Sequence, residues 1–184
     1  AANKWNKPKY QDIEADTVSL IATDDAGAVL RLIAGEIAEF QGPGSTFTPI
    51  TYSHATLSPG ARLRVPWRVD FNALVYVLNG RGTVGAGGHQ GRPIHEGQMA
   101  AFGSGDLLEV TADETQDGRS PEMDLLLLGG IPIREQVAWY GPFVMNNRQE
   151  LIQAVEDYQS GKMGFIPPEH MPHSGQGGDA PAGE

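Results

Sequence analysis

Five histidines are the side chains best suited to metal or acid–base chemistry in this sequence. Neutral imidazole is a common metal ligand, and its ordinary pKa lies near physiological pH. His54 shares a strand face with Ile50 and Tyr52, at even spacing. A tight transition-metal site needs several convergent nitrogen or oxygen donors. His54 is therefore read as a hydrogen-bonded core or cleft histidine rather than a ligand. His89 and His95 sit in Gly-rich text with Glu96 beside the second of them. Loops position ligands less well than strands or helices, so the expectation there is a solvated loop. His170 and His173 flank a Gly- and Pro-rich end where a metal could be picked up adventitiously.

Other schemes are weaker. Ser53 beside His54 is not a nucleophile–base pair, because strand neighbours point to opposite faces. Ser104 and Ser120 lie in turn-like text. Glu36, Asp70 and Asp106 are candidate buried acids without an evident partner. Arg68 and Asp70 suit an internal ion pair or two solvated loop charges. The chain has no cysteine, which removes disulfides, thiolate metal sites and thiol nucleophiles.

The elements that would position these residues are short strands. Residues 17–22, 28–34, 46–57, 73–78, 98–102, 106–111 and 123–128 are β-branched or apolar runs, with Gly and Pro in nearly every gap. Asp24-Asp25-Ala26-Gly27 reads as a turn. The run 73–78 is apolar throughout except for Tyr76, which suggests burial on both faces. This pattern predicts an all-β antiparallel sandwich or barrel. The Gly-rich stretch 80–91 follows a strand but precedes no helical pattern, so it is not a dinucleotide phosphate loop. One main helix is predicted near the C-terminus. Asn147 caps it with Glu150 three residues on, and Leu151, Ile152, Val155 and Tyr158 form its apolar stripe. Gly161 and Gly164 offer the stop.

The predicted organisation is a linker or arm over 1–12, a barrel over 13–145, a closing helix packed on the barrel over 146–166, and a flexible tail over 167–184. The length of 184 residues suits one domain with appendages. A net charge of −10 argues against direct nucleic-acid binding, which rests on Lys and Arg at phosphates. Anionic membranes are disfavoured for the same reason. No signal-peptide core opens the chain and no run is long enough to span a bilayer, so a cytoplasmic protein is expected. The sequence opens at Ala1 without an initiator methionine, as a processed or cleaved fragment does.

Four stretches carry a family resemblance. They are Gly35-Glu36, then Thr48-Pro49-Ile50-Thr51-Tyr52-Ser53-His54, and then the run from Asp70 to Gly80 continued by Gly82-Thr83-Val84-Gly85. The fourth runs from Leu127-Leu128-Gly129-Gly130-Ile131-Pro132-Ile133-Arg134-Glu135 through Tyr140-Gly141-Pro142-Phe143-Val144-Met145-Asn146. Together they resemble the C-terminal domain of the pirin family, over roughly Tyr10 to Pro167. The resemblance implies a cupin-type antiparallel β-barrel, a double-stranded β-helix or jelly roll, within a two-barrel protein. It further implies a metal site of three histidines and one glutamate in an N-terminal barrel, holding iron or another divalent metal.

Against the metal-binding cupin pattern, Gly60, Gly80 and Gly97 fit the glycines. The ligand positions fall on Pro66, Arg68, Ala73 and Ala100, none of which ligates a metal. No catalytic or metal-ligating residue is therefore assigned in this chain, and no cofactor is expected in it. The resemblance implies quercetin 2,3-dioxygenase activity for an intact protein. It equally leaves open a non-catalytic role, as a transcriptional co-regulator or a partner of a metabolic enzyme. The expected partners are the N-terminal cupin domain, a protein, or a flavonoid-like small molecule.

Overall fold

Short polar turns set where this chain reverses. Asp25 Oδ1 accepts from the Gly27 amide at 3.0 Å and from Thr23 Oγ1 at 2.6 Å. That closes a hairpin between Ser19–Ala22 (β1) and Ala28–Ala34 (β2). The computed structural model describes residues 2–85 and 91–165. Two short strands follow, Glu36–Ile37 (β3) and Phe40–Gln41 (β4), then Ile50–Leu57 (β5), Arg62–Pro66 (β6) and Asn72–Asn79 (β7). Arg81–Val84 (β8), Arg92–His95 (β9), Met99–Ala101 (β10), Leu107–Ala112 (β11) and Met123–Gly130 (β12) complete this part.

Ala2–Ile133 form one compact unit. Its strands make a six-stranded sheet, β1-β2-β5-β12-β7-β10, and a four-stranded sheet, β6-β11-β8-β9. All of the strand pairings in both are antiparallel. One apolar cluster joins the two sheets, with Leu30, Leu57, Val75, Val77, Leu125 and Leu127 from the larger and Leu63, Val65, Leu108 and Val110 from the smaller. The predicted jelly-roll class is the one observed.

Where prediction and structure differ, pairing explains the difference. The strands β6, β8 and β9 are not evident as apolar runs. They hold Arg62 and Arg64, Gly82, and Pro93 respectively. Strand preference depends on neighbours more than on intrinsic propensity, and β11 recruits β6 and β8 by register. Gly82 is needed there, since a Cβ at this position would lie 2.2 Å from Thr111 O.

The described residues from Arg134 onward form a second unit. A hairpin of Ala138–Tyr140 (β13) and Phe143–Met145 (β14) carries the helix Arg148–Gln159 (α1). Asn147 caps α1 as predicted, its Oδ1 accepting from the Glu150 amide at 2.9 Å. Glu150 Oε2 in return accepts from the Asn146 amide at 3.0 Å. Gly161, at φ 76°, and Lys162 close the other end with amides donating to Tyr158 O and Asp157 O. The apolar stripe differs from expectation. Leu151 and Ala154 are buried with Met145, while Ile152 is 52% and Tyr158 67% exposed. Tyr158 instead meets the Phe143 ring edge-on, with centroids 6.2 Å apart. Among the described residues no helix is long and apolar enough to cross a membrane. The predicted tail, 167–184, and the last residue of the predicted closing segment lie outside the described residues.

Candidate functional site

The interior end of the first unit is where β5, β6, β7 and β12 bring their termini together. Exposure along β6 alternates, with Leu63 and Val65 inward and Arg62, Arg64 and Pro66 outward. Trp67 continues the inward series at 9% exposed. The count that set Pro66 and Arg68 at ligand positions is thus one residue out. The inward positions are Val65 and Trp67. Ala73 and Ala100 do pack against the core, in register with Gly129 and Val75.

Trp67 lies flat enough against Gly129 that a Cβ there would stand 2.4 Å from its Cζ2. Valine and alanine carry no donor atom, and indole N–H donates only. These residues do not fit a metal ion, since nothing in the set can ligate one. The end is filled by packing instead. Two polar atoms are caught in that packing: Ser53 Oγ and Trp67 Nε1 are buried without a hydrogen-bond partner.

Outside this plug a cavity of about 480 Å³ opens between Glu36, the loop 41–51, Arg68 and Phe71. Asp70 accepts from Arg68 Nε at 3.0 Å and from Nη2 at 2.8 Å. The guanidinium also stacks 4.2 Å over the Phe71 ring. The hydrogen-bonded pairing holds Asp70 below the usual carboxylate range and lifts Arg68 further above its own. Arg68 and Asp70 therefore do pair, but in solvent at the mouth, not as the internal ion pair that one sequence reading suggested. Both partners are half exposed, so its contribution to stability is small.

The buried acid is a different residue from those proposed. Glu36, Asp70 and Asp106 are exposed, whereas Glu109 is 7% exposed. Its Oε1 accepts from Arg62 Nη2 at 2.5 Å. Its Oε2 lies 3.2 Å from Arg64 Nε, within ion-pair distance but not aligned as a hydrogen bond. The signal was available as Arg62 and Arg64 two apart on one strand, which place both cations on one face.

The histidines do not converge. His54 does share a face with Ile50 and Tyr52, but it is the outer face of the sheet. Thr51, Ser53, Ala55 and Leu57 point inward. His54 Nδ1 is 3.3 Å from Arg31 Nη1, and its Nε2 is 3.4 Å from Asp124 Oδ1. Thr56 Oγ1 accepts from Arg31 Nη1 at 3.0 Å and donates to Asp124 Oδ1 at 2.8 Å. Burial lowers the His54 pKa; Asp124 opposes that and Arg31 adds to it. His95 is exposed beside the Glu96 carbonyl. His89, His170 and His173 lie outside the described residues. Among the described residues no three His, Asp or Glu side chains gather as a metal site would require.

Comparison with known proteins bears on this geometry. The family model of the pirin C-terminal cupin domain matches residues 52–164. A tomato pirin-like protein is 34% identical over 163 residues, covering 89% of this chain and 53% of the relative. Human pirin is 30% identical over 165 residues, covering 90% of this chain and 54% of the relative. A crystal structure of quercetin 2,3-dioxygenase from Acinetobacter baumannii superposes with a TM-score of 0.72 at 32% identity. It covers 86% of this chain and 52% of that one. The chain spans about half the length of the curated relatives it matches.

Proposed function

The chain belongs to the pirin family, as its C-terminal cupin domain, and from that premise we propose that it serves as the metal-free half of a two-domain protein. In this reading the other half carries a metal-dependent site of the quercetin 2,3-dioxygenase type, with iron or another divalent ion as its metal. The reading is carried by one observation: Val65, Trp67, Ala73 and Ala100 occupy the interior end of this barrel, and none can ligate a metal. The similarity to the Acinetobacter quercetin 2,3-dioxygenase supplies the reaction class. Oxygen chemistry of that kind normally draws on a metal or organic cofactor, so no oxidative step is assigned to residues of this chain. Its own contribution is a rigid barrel whose end is sealed by Trp67. Above the seal, Arg68 is fixed by Asp70 and Phe71 beside the open cavity.

Quercetin loss tests this. The chain, chelator-washed and reconstituted with iron(II), should oxidise quercetin no faster than the same free iron. Iron-dependent turnover above that background, retained after gel filtration, would require an active site within this barrel.

A further inference from the structure

We propose that the cavity outside the Trp67 plug is a binding site for a neutral polyhydroxylated molecule, a sugar or a cyclic polyol. The proposal concerns residues of this barrel alone and does not depend on the chemistry of a second domain. The walls of the cavity are built rather than loose. The loop 41–51 is tied back to the end of β2, with the Gly42 amide donating to Gly35 O at 2.9 Å and the Gly44 amide to Ile33 O at 2.8 Å. Gly35 lets the far end of the loop close in, since its φ is 86° and a Cβ there would lie 1.9 Å from Ile50 O. From the other side, Gln11 Nε2 donates to Pro43 O at 2.7 Å, and Gln11 Oε1 accepts from the Ser45 amide at 3.0 Å. Within the loop, Thr46 Oγ1 donates to Thr48 O at 2.7 Å. The cavity is thus preformed, and its volume of about 480 Å³ lies in the range of small-molecule sites.

Three groups on these walls are left for a ligand. Arg68 pairs with Asp70 rather than with Glu36, although both Arg68 and Glu36 line the cavity. Asp70 takes the Nε donor and one at Nη2, which leaves the Nη1 amino group of the guanidinium. Among the described residues Glu36 enters one side-chain hydrogen bond, at its backbone carbonyl, which accepts from Thr51 Oγ1. Its carboxylate is unspent. The Phe71 ring is already covered by the guanidinium, whereas Phe47 lines the cavity with its side chain 58% exposed. One donor, one acceptor and one open ring therefore share a single cavity.

Charge decides the class of ligand. An anion drawn to Arg68 would stand beside Asp70, in a cavity that also holds Glu36. A cation drawn to Glu36 would meet the field of Arg68, and the two charges do sense each other. Like charges at such distances repel. A zwitterion still sets its carboxylate against Asp70. Hydroxyl groups avoid each conflict, because every one of them both donates and accepts. One hydroxyl accepts from the guanidinium while another on the same ring donates to the Glu36 carboxylate, and hydrogen bonds to charged partners are the stronger kind. The C–H face of the same ring then covers Phe47, which otherwise faces water.

Amide NMR spectra of the chain, titrated separately with D-glucose, D-galactose and myo-inositol, test the proposal without reference to catalysis. Acetate, ethylenediamine and alanine serve as the anionic, cationic and zwitterionic counterparts. At least one polyol should give saturable shifts at Glu36, Gln41, Thr46, Phe47 and Arg68, with a Kd of about 1–10 mM. Glu36→Ala should weaken that binding by about tenfold, as for loss of a hydrogen bond to a charged group, and Phe47→Ala should weaken it as well. Met99→Ala, exposed on another part of the barrel, should leave it unchanged. Glu36 and Phe47 are exposed, so both variants keep the fold, which the same spectra verify. The absence of saturable shifts with all three polyols would overturn the proposal, as would shifts centred away from the cavity or unchanged affinity in Glu36→Ala. Tighter binding of acetate, ethylenediamine or alanine at these residues would also overturn it, since the site would then be one for a charged ligand.

Discussion

The inner end of the barrel and the outer face of its larger sheet make opposite use of the same strands. On β5, Ser53 points into the core beside Thr51, and His54 points outward beside Tyr52. On β12, the inward leucines fill the core while Asp124 reaches outward to Thr56 and His54. The interior, where a cupin would gather ligands, holds Trp67, Ala73 and Ala100. The titratable groups stand outside and satisfy one another. The comparison teaches that the polar side chains near the centre of this sheet pair with one another on its outer face. They mark a surface whose charges are balanced.

The sharpest way to break that comparison is at Trp67. Trp67→Ala should destabilise the chain by about 3–5 kcal/mol, as for a large aromatic removed from a core. Chemical denaturation measures this. Trp67→Phe should cost much less than Trp67→Ala, because the indole N–H lost has no partner to leave unpaired. A loss as large as that of the alanine variant would show that Nε1 has a bonded role.

Neighbouring leucines give the next contrast. Leu127 is wholly buried and Leu126 only partly so. Leu127→Ala should cost about 2–5 kcal/mol, and Leu126→Ala clearly less in the isolated chain. Equal losses would mean that the outer face is already covered. In the second unit, Leu151→Ala should lower the melting temperature more than Ile152→Ala, since Leu151 is 9% and Ile152 52% exposed.

Much of this arrangement was legible in the sequence, and the misses have physical causes. The strands 28–34 and 123–128 announce themselves because each is an apolar run broken by a single charge, Arg31 and Asp124 respectively. The cap at Asn147 is equally plain, since Asn and Glu three apart satisfy amides that any helix leaves open. The strand β6 was missed because its arginines face solvent and only Leu63 and Val65 carry the inward pattern. The same oversight displaced the ligand count by one residue, because alternation within β6 decides which of Pro66 and Trp67 points inward. Glu109 was not foreseen as the buried acid, because its partners come from a strand far away in sequence. The outward side of His54 was hidden for a related reason. With Ile50 and Tyr52 on one face and Thr51 and Ser53 on the other, the larger apolar side looks like the core.

A smaller effect concerns pH. Burial depresses the pKa of His54 below its ordinary value, so the folded chain favours neutral imidazole. The unfolded chain takes up the proton first as pH falls. Stability should therefore be full above about pH 6.5 and decline as pH drops from there toward the depressed folded value. His54→Gln should flatten that part of the profile in thermal melts across the range. An unchanged slope would show that another group titrates there. The smallest effect belongs to Arg68 and Asp70. The depressed Asp70 pKa means that the pair contributes above the ordinary Asp range and is lost as pH falls through the lower folded value. Arg68→Gln should raise the Asp70 pKa, read by carboxyl chemical shifts, with little change in fold.

The central claim is that this barrel holds no metal, because the side chains at its inner end cannot ligate one. Elemental analysis of the tag-free, chelator-washed chain after incubation with iron(II), followed by anomalous diffraction to locate any ion retained, tests it most directly. The account predicts no ion inside the barrel and a metal content well below one per chain. One ion per chain, located in the barrel between Trp67, Ala73 and Ala100, would contradict it.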